Sequence, residues 1–249
     1  MTPQQQRWAP LPRARAVATF DALVATPLRG GVNALYWPRT LDGDFGALAR
    51  ALAPTAGLAI VDVDALAALP LGPGARAAAA AIVDDVARLH ALGLDPVVNC
   101  IVDYPRDDRG LPIATDVLSL HVDRAPVAVD TWLCTYHGKP TEALDNDHAR
   151  RRTDDPAVVA ALRAVWRQER GAHGRADRDV EDDDGFAAFV RKGSFDLHYE
   201  PVDGAAPCAF GVGELWRLAT QWPGALVPPC IHRAPRTGPG DEPRLLLLC

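Results

Sequence analysis

The sequence is short of lysine and has no strongly basic segment. Lys139 and Lys192 are the only lysines among 249 residues, and the formal net charge is −6. The single run of arginines, at 150–152, is followed after one threonine by Asp154 and Asp155. Because phosphate contacts dominate the affinity of nucleic-acid binders and require a basic face, this composition argues against a nucleic-acid partner.

Long apolar runs and paired cysteines are also missing. No stretch approaches the roughly 20 apolar residues of a membrane helix, and residues 1–20 lack the apolar core of an export signal. The five cysteines are scattered and form no C-x-x-C pair, which argues against a zinc ribbon or a disulfide scaffold and fits a reducing compartment. We therefore expect a cytoplasmic protein, with no membrane partner, that binds or acts on a small molecule. The sequence leaves its oligomeric state open.

The first part of the chain, residues 1–115, has the pattern of a mixed α/β unit. Its first 40 residues are rich in proline and are expected to be irregular. Helical periodicity and short runs bounded by turn residues predict four elements after them. These are helices at 44–53 and 75–92 and strands at 57–63 and 96–102.

From residue 116 onward, short apolar segments alternate with glycine and proline. Such punctuation predicts an antiparallel sandwich or barrel. The strands are expected at 116–123, 127–137, 211–219, 225–232 and 243–249. A helical stretch at 156–170 and a polar, acidic stretch at 171–185 interrupt them. We interpret 150–185 as an insertion and expect 171–185 to be mobile and dispensable.

A candidate metal-binding motif lies in the first of these strands. Residues 117–123 alternate in polarity, so His121 and Asp123 point to one face as a side-by-side imidazole and carboxylate. A histidine from another strand would complete a two-histidine, one-carboxylate facial triad, which leaves three coordination positions open and suits non-haem Fe(II). The motif alone is a weak signal, because aspartate is abundant and His198 and Glu200 form a competing H-x-E pair.

The segments that follow His121 give this motif its context. The chain reads C-T-Y-H-G-K-P-T-E at 134–142, I-H-R-A-P at 231–235 and R-L-L-L-L at 244–248. This succession is similar to the bacterial family catalogued as domain of unknown function 1826, and the resemblance covers roughly residues 85–249. More distantly, it resembles the Fe(II)/2-oxoglutarate oxygenases and their cupin relatives.

The resemblance implies a fold and a set of metal ligands. The fold would be α+β, with a double-stranded β-helix, a jelly-roll or cupin-like barrel, over residues 116–249. The mixed, partly helical segment 1–115 would pack on this barrel, and the whole chain would be one compact domain. The ligands would be His121, Asp123 and His232.

The resemblance to the oxygenases also implies a co-substrate site. Arg244 would pair with the distal carboxylate of 2-oxoglutarate, because a guanidinium fork matches a carboxylate bidentately. An ion pair of Arg244 with an internal acid, Glu142 or Glu214, is the competing interpretation. Thr135 and Tyr136 would line the pocket, with Tyr136 donating to a bound acid, although packing in the core explains both residues equally well.

The chain departs from the family pattern around the ligands but not at them. The family pattern reads G-x-G-T-E-W where this chain has G-K-P-T-E-A at 138–143, so Pro140 stands in place of the second glycine. The other departures are Ala143, Ala219, Thr220, Ala234 and Cys249. The three ligand residues are kept through all of these changes, so the departures concern the surroundings of the metal and the substrate site and not the ligands.

Three functions remain open. The first is a mononuclear Fe(II) oxygenase that uses 2-oxoglutarate on a small substrate. The second is a cupin-like protein that binds Zn(II) or another metal without redox chemistry, since Zn(II) stands above Fe(II) in affinity for a histidine and carboxylate site. The third is a non-catalytic binding module whose pocket has decayed. Oxygen-dependent turnover of 2-oxoglutarate separates the first from the others, and metal retention separates the second from the third.

Overall fold

The structure, a computed structural model, describes residues 11–172, 183–238 and 240–249. These residues form five α-helices and twelve β-strands. The helices are α1 (Phe20–Ala25), α2 (Phe45–Leu52), α3 (Pro73–His90), α4 (Pro156–Ala172) and α5 (Asp183–Lys192). The strands are β1 (Ala14–Ala16), β2 (Ala34–Trp37), β3 (Leu58–Ile60), β4 (Val97–Ile101), β5 (Asp130–His137), β6 (Glu142–Leu144), β7 (Ala149–Arg151), β8 (Tyr199–Pro201), β9 (Cys208–Ala209), β10 (Leu215–Ala219), β11 (Ile231–Arg233) and β12 (Arg244–Leu248).

Seven strands form one large mixed sheet in the order β1-β2-β10-β5-β12-β4-β3. β1 and β2 are parallel, and the other neighbours are antiparallel. The mixed α+β class expected from the sequence is confirmed. Strands from residues 1–115 form both edges of this sheet, β1-β2 on one side and β4-β3 on the other, and flank three central strands from the rest of the chain. The strands of the N-terminal part are therefore hydrogen-bonded into the large sheet, and its helices pack against one face of that sheet.

The first 40 residues are more regular than the sequence suggested. α1 begins where the Thr19 side chain accepts a hydrogen bond of 3.1 Å from the amide of Ala22. β2 lies between β1 and β10, and its residues Ala34 and Leu35 are both buried although they point to opposite faces. A strand buried on both faces loses the alternation by which strands are recognised, which explains why the prediction missed it.

A smaller sheet, in the order β11-β6-β9, faces the large one. Apolar side chains from both sheets share one core, which includes Leu246 of β12 and Ala143 of β6. We call the surfaces that line this core the inner faces. Helices α1, α2 and α3 cover the other face of the large sheet, where Leu245 and Leu247 are buried. None of the helices in the described part of the chain is long and apolar enough to span a membrane.

The segment around His121 is not the regular strand predicted at 116–123. The Asp116 carboxylate accepts a hydrogen bond of 3.1 Å from the amide of Leu118, and this interaction holds residues 116–119 in a turn. Past the turn the chain forms only isolated bridges, two of them at His121. Because aspartate can bond to the backbone two residues further on, Asp116 was a turn signal that the alternating pattern obscured.

A buried ion pair joins the helical layer to the large sheet. Both terminal guanidinium nitrogens of Arg39 donate to the Asp85 carboxylate, Nη1 at 2.6 Å, and the Tyr136 hydroxyl donates to Asp85 at 2.7 Å. Burial alone would lower the pKa of Arg39, but the Asp85 carboxylate outweighs it and raises that pKa above its ordinary value. Tyr136 therefore lies on the helical side of the sheet and serves the core, not the inner face on which it was expected.

The insertion forms a small helical unit with its own core. α4 and α5 enclose apolar side chains together with the loop that precedes His121; the buried members are Ile113, Leu162, Phe186 and Phe195. Of the stretch 171–185, which was predicted to be mobile, residues 173–182 lie outside the described residues. Residues 183–185 form the start of α5.

Candidate metal centre

His121 and His232 come from different segments and lie directly opposite each other. The amide of His121 donates to the carbonyl of His232 at 2.9 Å, and the reverse bond is 2.8 Å. Opposed residues of antiparallel segments project to the same face, and the two ring centroids are 4.7 Å apart. His232 also pairs with Ala143, a member of the core between the sheets. Both imidazoles are therefore on the inner face.

Each imidazole is oriented by a backbone carbonyl two residues earlier. Nδ1 of His121 is 2.7 Å from the oxygen of Ser119, and Nδ1 of His232 is 3.1 Å from the oxygen of Cys230. Because a carbonyl can only accept, Nδ1 carries the proton and Nε2 keeps its lone pair. Metal-ligating histidines are typically held in this way.

Asp123 completes a group of three ligand side chains. Its Oδ2 lies 3.6 Å from Nε2 of His232, and one ligand atom from each of His121, Asp123 and His232 lies within 4.8 Å of the other two. The hydroxyl of Thr131, on β5, donates a hydrogen bond to Asp123 Oδ2. The structure thus brings together the three residues predicted as ligands, and a side chain of the large sheet fixes the carboxylate.

The charge state of this group suits a cation. Burial, together with the neighbouring His232, lowers the pKa of His121 from 6.5 to about 4. Burial raises the pKa of Asp123, but His232 and the Thr131 hydrogen bond outweigh it, so the net shift is downward. A neutral imidazole beside an ionised carboxylate is the form that binds a divalent metal ion.

The metal-free protein should lose stability as the pH falls from about 6.5 to about 4. His121 and His198 both have pKa values of about 4 when folded, mainly because they are buried. In this window the unfolded chain binds more protons, so acid favours unfolding. Urea unfolding of chelator-treated protein at several pH values measures the slope. His198→Phe should reduce the slope, whereas replacement of the exposed His90 should not. An equal slope in His198→Phe would contradict the expectation.

Thr131→Val should weaken metal binding without unfolding the protein. The change removes the hydrogen bond that holds Asp123 but keeps the shape of the side chain. Losing such an outer partner typically costs about 10–100-fold in metal affinity. Thr135→Val is the matched control on the same face of β5, because Thr135 contacts Arg244 and no metal ligand. Competition titration with a metal chelator measures the metal affinity of both variants. Equal metal affinities of Thr131→Val and Thr135→Val would refute the role of Thr131.

Arg244 is enclosed between the sheets without a carboxylate. It opens β12 and is 2% exposed. Its Nη1 donates to the Tyr104 hydroxyl, and its Nη2 donates to Thr135 Oγ1 at 3.0 Å and Thr141 Oγ1 at 2.6 Å. All three acceptors are neutral, and Nε has no hydrogen-bond partner among the residues described. Burial lowers the pKa of Arg244 below its ordinary value.

The two acids that competed for Arg244 are engaged elsewhere. Glu142 accepts from Nε of Arg233 at 2.7 Å, and Glu214 accepts from the amide of Gly211 at 3.1 Å. Thr135, one of the residues expected to line the pocket, contacts the Arg244 guanidinium.

Sequence reasoning missed several residues of this site. Tyr104 and Thr141 bind the Arg244 guanidinium, and Thr131 binds Asp123; only the position of each strand in the fold reveals these contacts. The H-x-E pair does not act as a unit, because Glu200 binds Arg150 at 3.0 Å whereas His198 lies beside His121.

No protein-family model matches the chain, and no curated protein or solved structure matches it. Its function must therefore be inferred from the site itself.

Proposed function

We propose that this protein is a mononuclear metal protein of the non-haem Fe(II) oxygenase type, with 2-oxoglutarate as co-substrate and a small molecule as substrate. The convergence of His121, Asp123 and His232 on the inner face carries the proposal. Two imidazoles and one carboxylate would hold iron and leave three positions for co-substrate and oxygen. Bound there, iron would supply oxygen chemistry that the side chains cannot perform, while the protein orients the reactants.

We also propose that the two sheets form a double-stranded β-helix. Eight segments support it, in chain order β4, the His121 segment, β5, β6, β9, β10, β11 and β12. The first pairs with the eighth, the second with the seventh, the third with the sixth and the fourth with the fifth. Such nested pairing is expected when a long double ribbon folds over into the two sheets of a jelly roll. The same order of ligands underlies the proposed kinship with the family of domain of unknown function 1826, which has no established activity.

The surroundings of Arg244 support the co-substrate. Arg244 follows the same alternation as Leu246 and therefore faces the space between the sheets that the triad also faces. A buried guanidinium needs a counter-charge, and none of the described carboxylates provides one. A dicarboxylate bound to the metal at one end and to Arg244 at the other would satisfy both groups. Thr135 and Thr141 would then hold the guanidinium in place.

Arg244→Met should weaken binding of 2-oxoglutarate to the metal-loaded protein. The loss should be at least about 1.5–3 kcal/mol, the usual worth of a hydrogen bond to a charged group, and metal affinity should hardly change. Calorimetry measures both, and circular dichroism checks the fold. Arg244→Lys keeps the charge but loses the forked guanidinium. Its affinity for 2-oxoglutarate should therefore lie between those of the wild type and Arg244→Met. Unchanged binding in Arg244→Met would remove Arg244 from the co-substrate site.

The test of the proposed activity is turnover of 2-oxoglutarate by the Fe(II)-loaded protein under air and under nitrogen. Slow, oxygen-dependent formation of succinate is expected even without the substrate when ascorbate is added, because ascorbate supplies the two electrons that the substrate would otherwise give. His121→Ala should abolish it. No turnover and no 2-oxoglutarate binding by a metal-replete protein would refute the oxygenase proposal.

A cupin-like Zn(II) protein is the second candidate. The donor set itself favours it, because two imidazoles and a carboxylate bind Zn(II) more tightly than Fe(II). In that case the protein would retain zinc, bind no 2-oxoglutarate and show no oxygen-dependent reaction. Elemental analysis of protein purified without added metal, read together with the turnover assay, distinguishes the two candidates.

A further inference from the structure

His198 is a buried imidazole that the proposed metal ligands do not account for. The residue is 4% exposed. Its Nδ1 is buried and has no hydrogen-bond partner among the residues that the structure describes. Native proteins seldom leave a buried polar atom unpaired, and those that remain call for an explanation such as a catalytic role or a bound species.

His198 stands in the same row as the two histidine ligands. It is opposite His121 in an antiparallel bridge, and His121 is opposite His232 on its other side. Two backbone hydrogen bonds, of 3.1 and 2.8 Å, flank the His121–His198 pair, so it is of the kind in which side chains approach most closely. The ring centroids are 5.9 Å apart. Three imidazoles therefore lie across three neighbouring segments on the inner face.

The three imidazoles are not equivalent. Carbonyl oxygens fix Nδ1 of His121 and of His232, which orients Nε2 for a metal. Among the described residues no carbonyl accepts a hydrogen bond from Nδ1 of His198, and His198 is not part of the group whose ligand atoms lie within 4.8 Å of one another. It stands next to the coordination sphere, where a neutral imidazole can donate or accept one hydrogen bond.

We propose that His198 is a ligand-contacting residue of the metal centre, and this inference rests on the proposed metal site. Its imidazole hydrogen-bonds to the small molecule or anion that occupies an open position on the metal. The ligand class is one that presents an oxygen or nitrogen atom beside the metal, such as a carboxylate. His198 thereby selects ligands that can form this hydrogen bond.

Cobalt(II) and azide provide a direct test, because Co(II) reports coordination in its visible spectrum and azide occupies open positions. Wild-type protein, His198→Phe and His198→Gln are loaded with Co(II), and azide is titrated into each. Co(II) affinity should stay within about threefold of wild type, whereas azide should bind about tenfold more weakly to His198→Phe, as expected for a lost hydrogen bond. His198→Gln should restore part of the azide affinity. His90→Phe, at an exposed site, is the control, and His198→Met replaces His198→Phe if that variant does not fold.

The Co(II) and azide titrations distinguish a ligand-contacting His198 from a packing residue and from a metal ligand. Equal azide affinity in wild type and His198→Phe would overturn the proposal and leave His198 a packing residue. Loss of Co(II) from His198→Phe would also overturn it, because His198 would then be a metal ligand. Failure of the wild type to bind Co(II) would refute the metal site itself, and this outcome is seen before any variant is compared.

Discussion

Asp85→Ala is expected to lower the free energy of unfolding by about 3–5 kcal/mol, the typical result of removing one partner of a buried ion pair. The change leaves the Arg39 guanidinium without its carboxylate and the Tyr136 hydroxyl without its acceptor. Asp85 is 2% exposed, so water cannot take over these bonds. Urea unfolding followed by circular dichroism measures the loss.

Two variants make this prediction specific. Asp84→Ala alters an exposed neighbour on the same helix and should change stability by no more than about 0.5 kcal/mol. The double variant Arg39→Met/Asp85→Leu removes both charges. Its loss of unfolding free energy should therefore be smaller than the sum of the losses in Arg39→Met and Asp85→Leu. An effect of Asp85→Ala as small as that of Asp84→Ala would show that the ion pair does not stabilise the protein.

His232→Ala should abolish stoichiometric metal binding. His232 is one of the three proposed ligands, and the effect of its loss on metal affinity should exceed the roughly 10–100-fold effect of losing an outer partner. His121→Ala should have the same result, because the two residues occupy equivalent positions opposite each other. Equilibrium dialysis against buffered Fe(II) or Zn(II), followed by elemental analysis, measures the remaining affinity.

The matched control for His232→Ala is His90→Ala, on the exposed side of α3. It should retain full metal content, and both proteins should keep the wild-type circular dichroism spectrum. Metal bound at one equivalent by a folded His232→Ala protein would mean that other residues form the site. Adding His198→Phe to the His232→Ala protein would then show whether the His198 imidazole had replaced His232 as a metal ligand.

Two of the candidate ligands could be found from the sequence because one local rule holds in this fold. Residues two apart in an extended segment share a face, which placed His121 and Asp123 together even though the segment is bridged and not a regular strand. The third ligand, His232, is more than 100 residues away. Only the resemblance to other families indicated it, because no local pattern records which segments pair.

The features that could not be predicted from the sequence depend on tertiary contacts. Tyr136 alternates with Thr135 and so had to face the other side of β5, yet the sequence does not say which side holds the site. The sequence also does not reveal that N-terminal and later strands share one sheet, because β2 and β4 hydrogen-bond to strands that are distant along the chain. Thr131 gains its role only because β5 passes Asp123. Each of these contacts is fixed by packing of the two sheets, which composition and periodicity do not encode.

The central claim is that His121, Asp123 and His232 bind a single metal ion. Anomalous diffraction from crystals of the metal-loaded protein, collected on both sides of the absorption edge of that metal, tests it most directly. We expect one strong peak about 2.0–2.2 Å from Nε2 of each histidine and from a carboxylate oxygen of Asp123. A peak bound by other side chains, or no peak there at saturating metal, would contradict it.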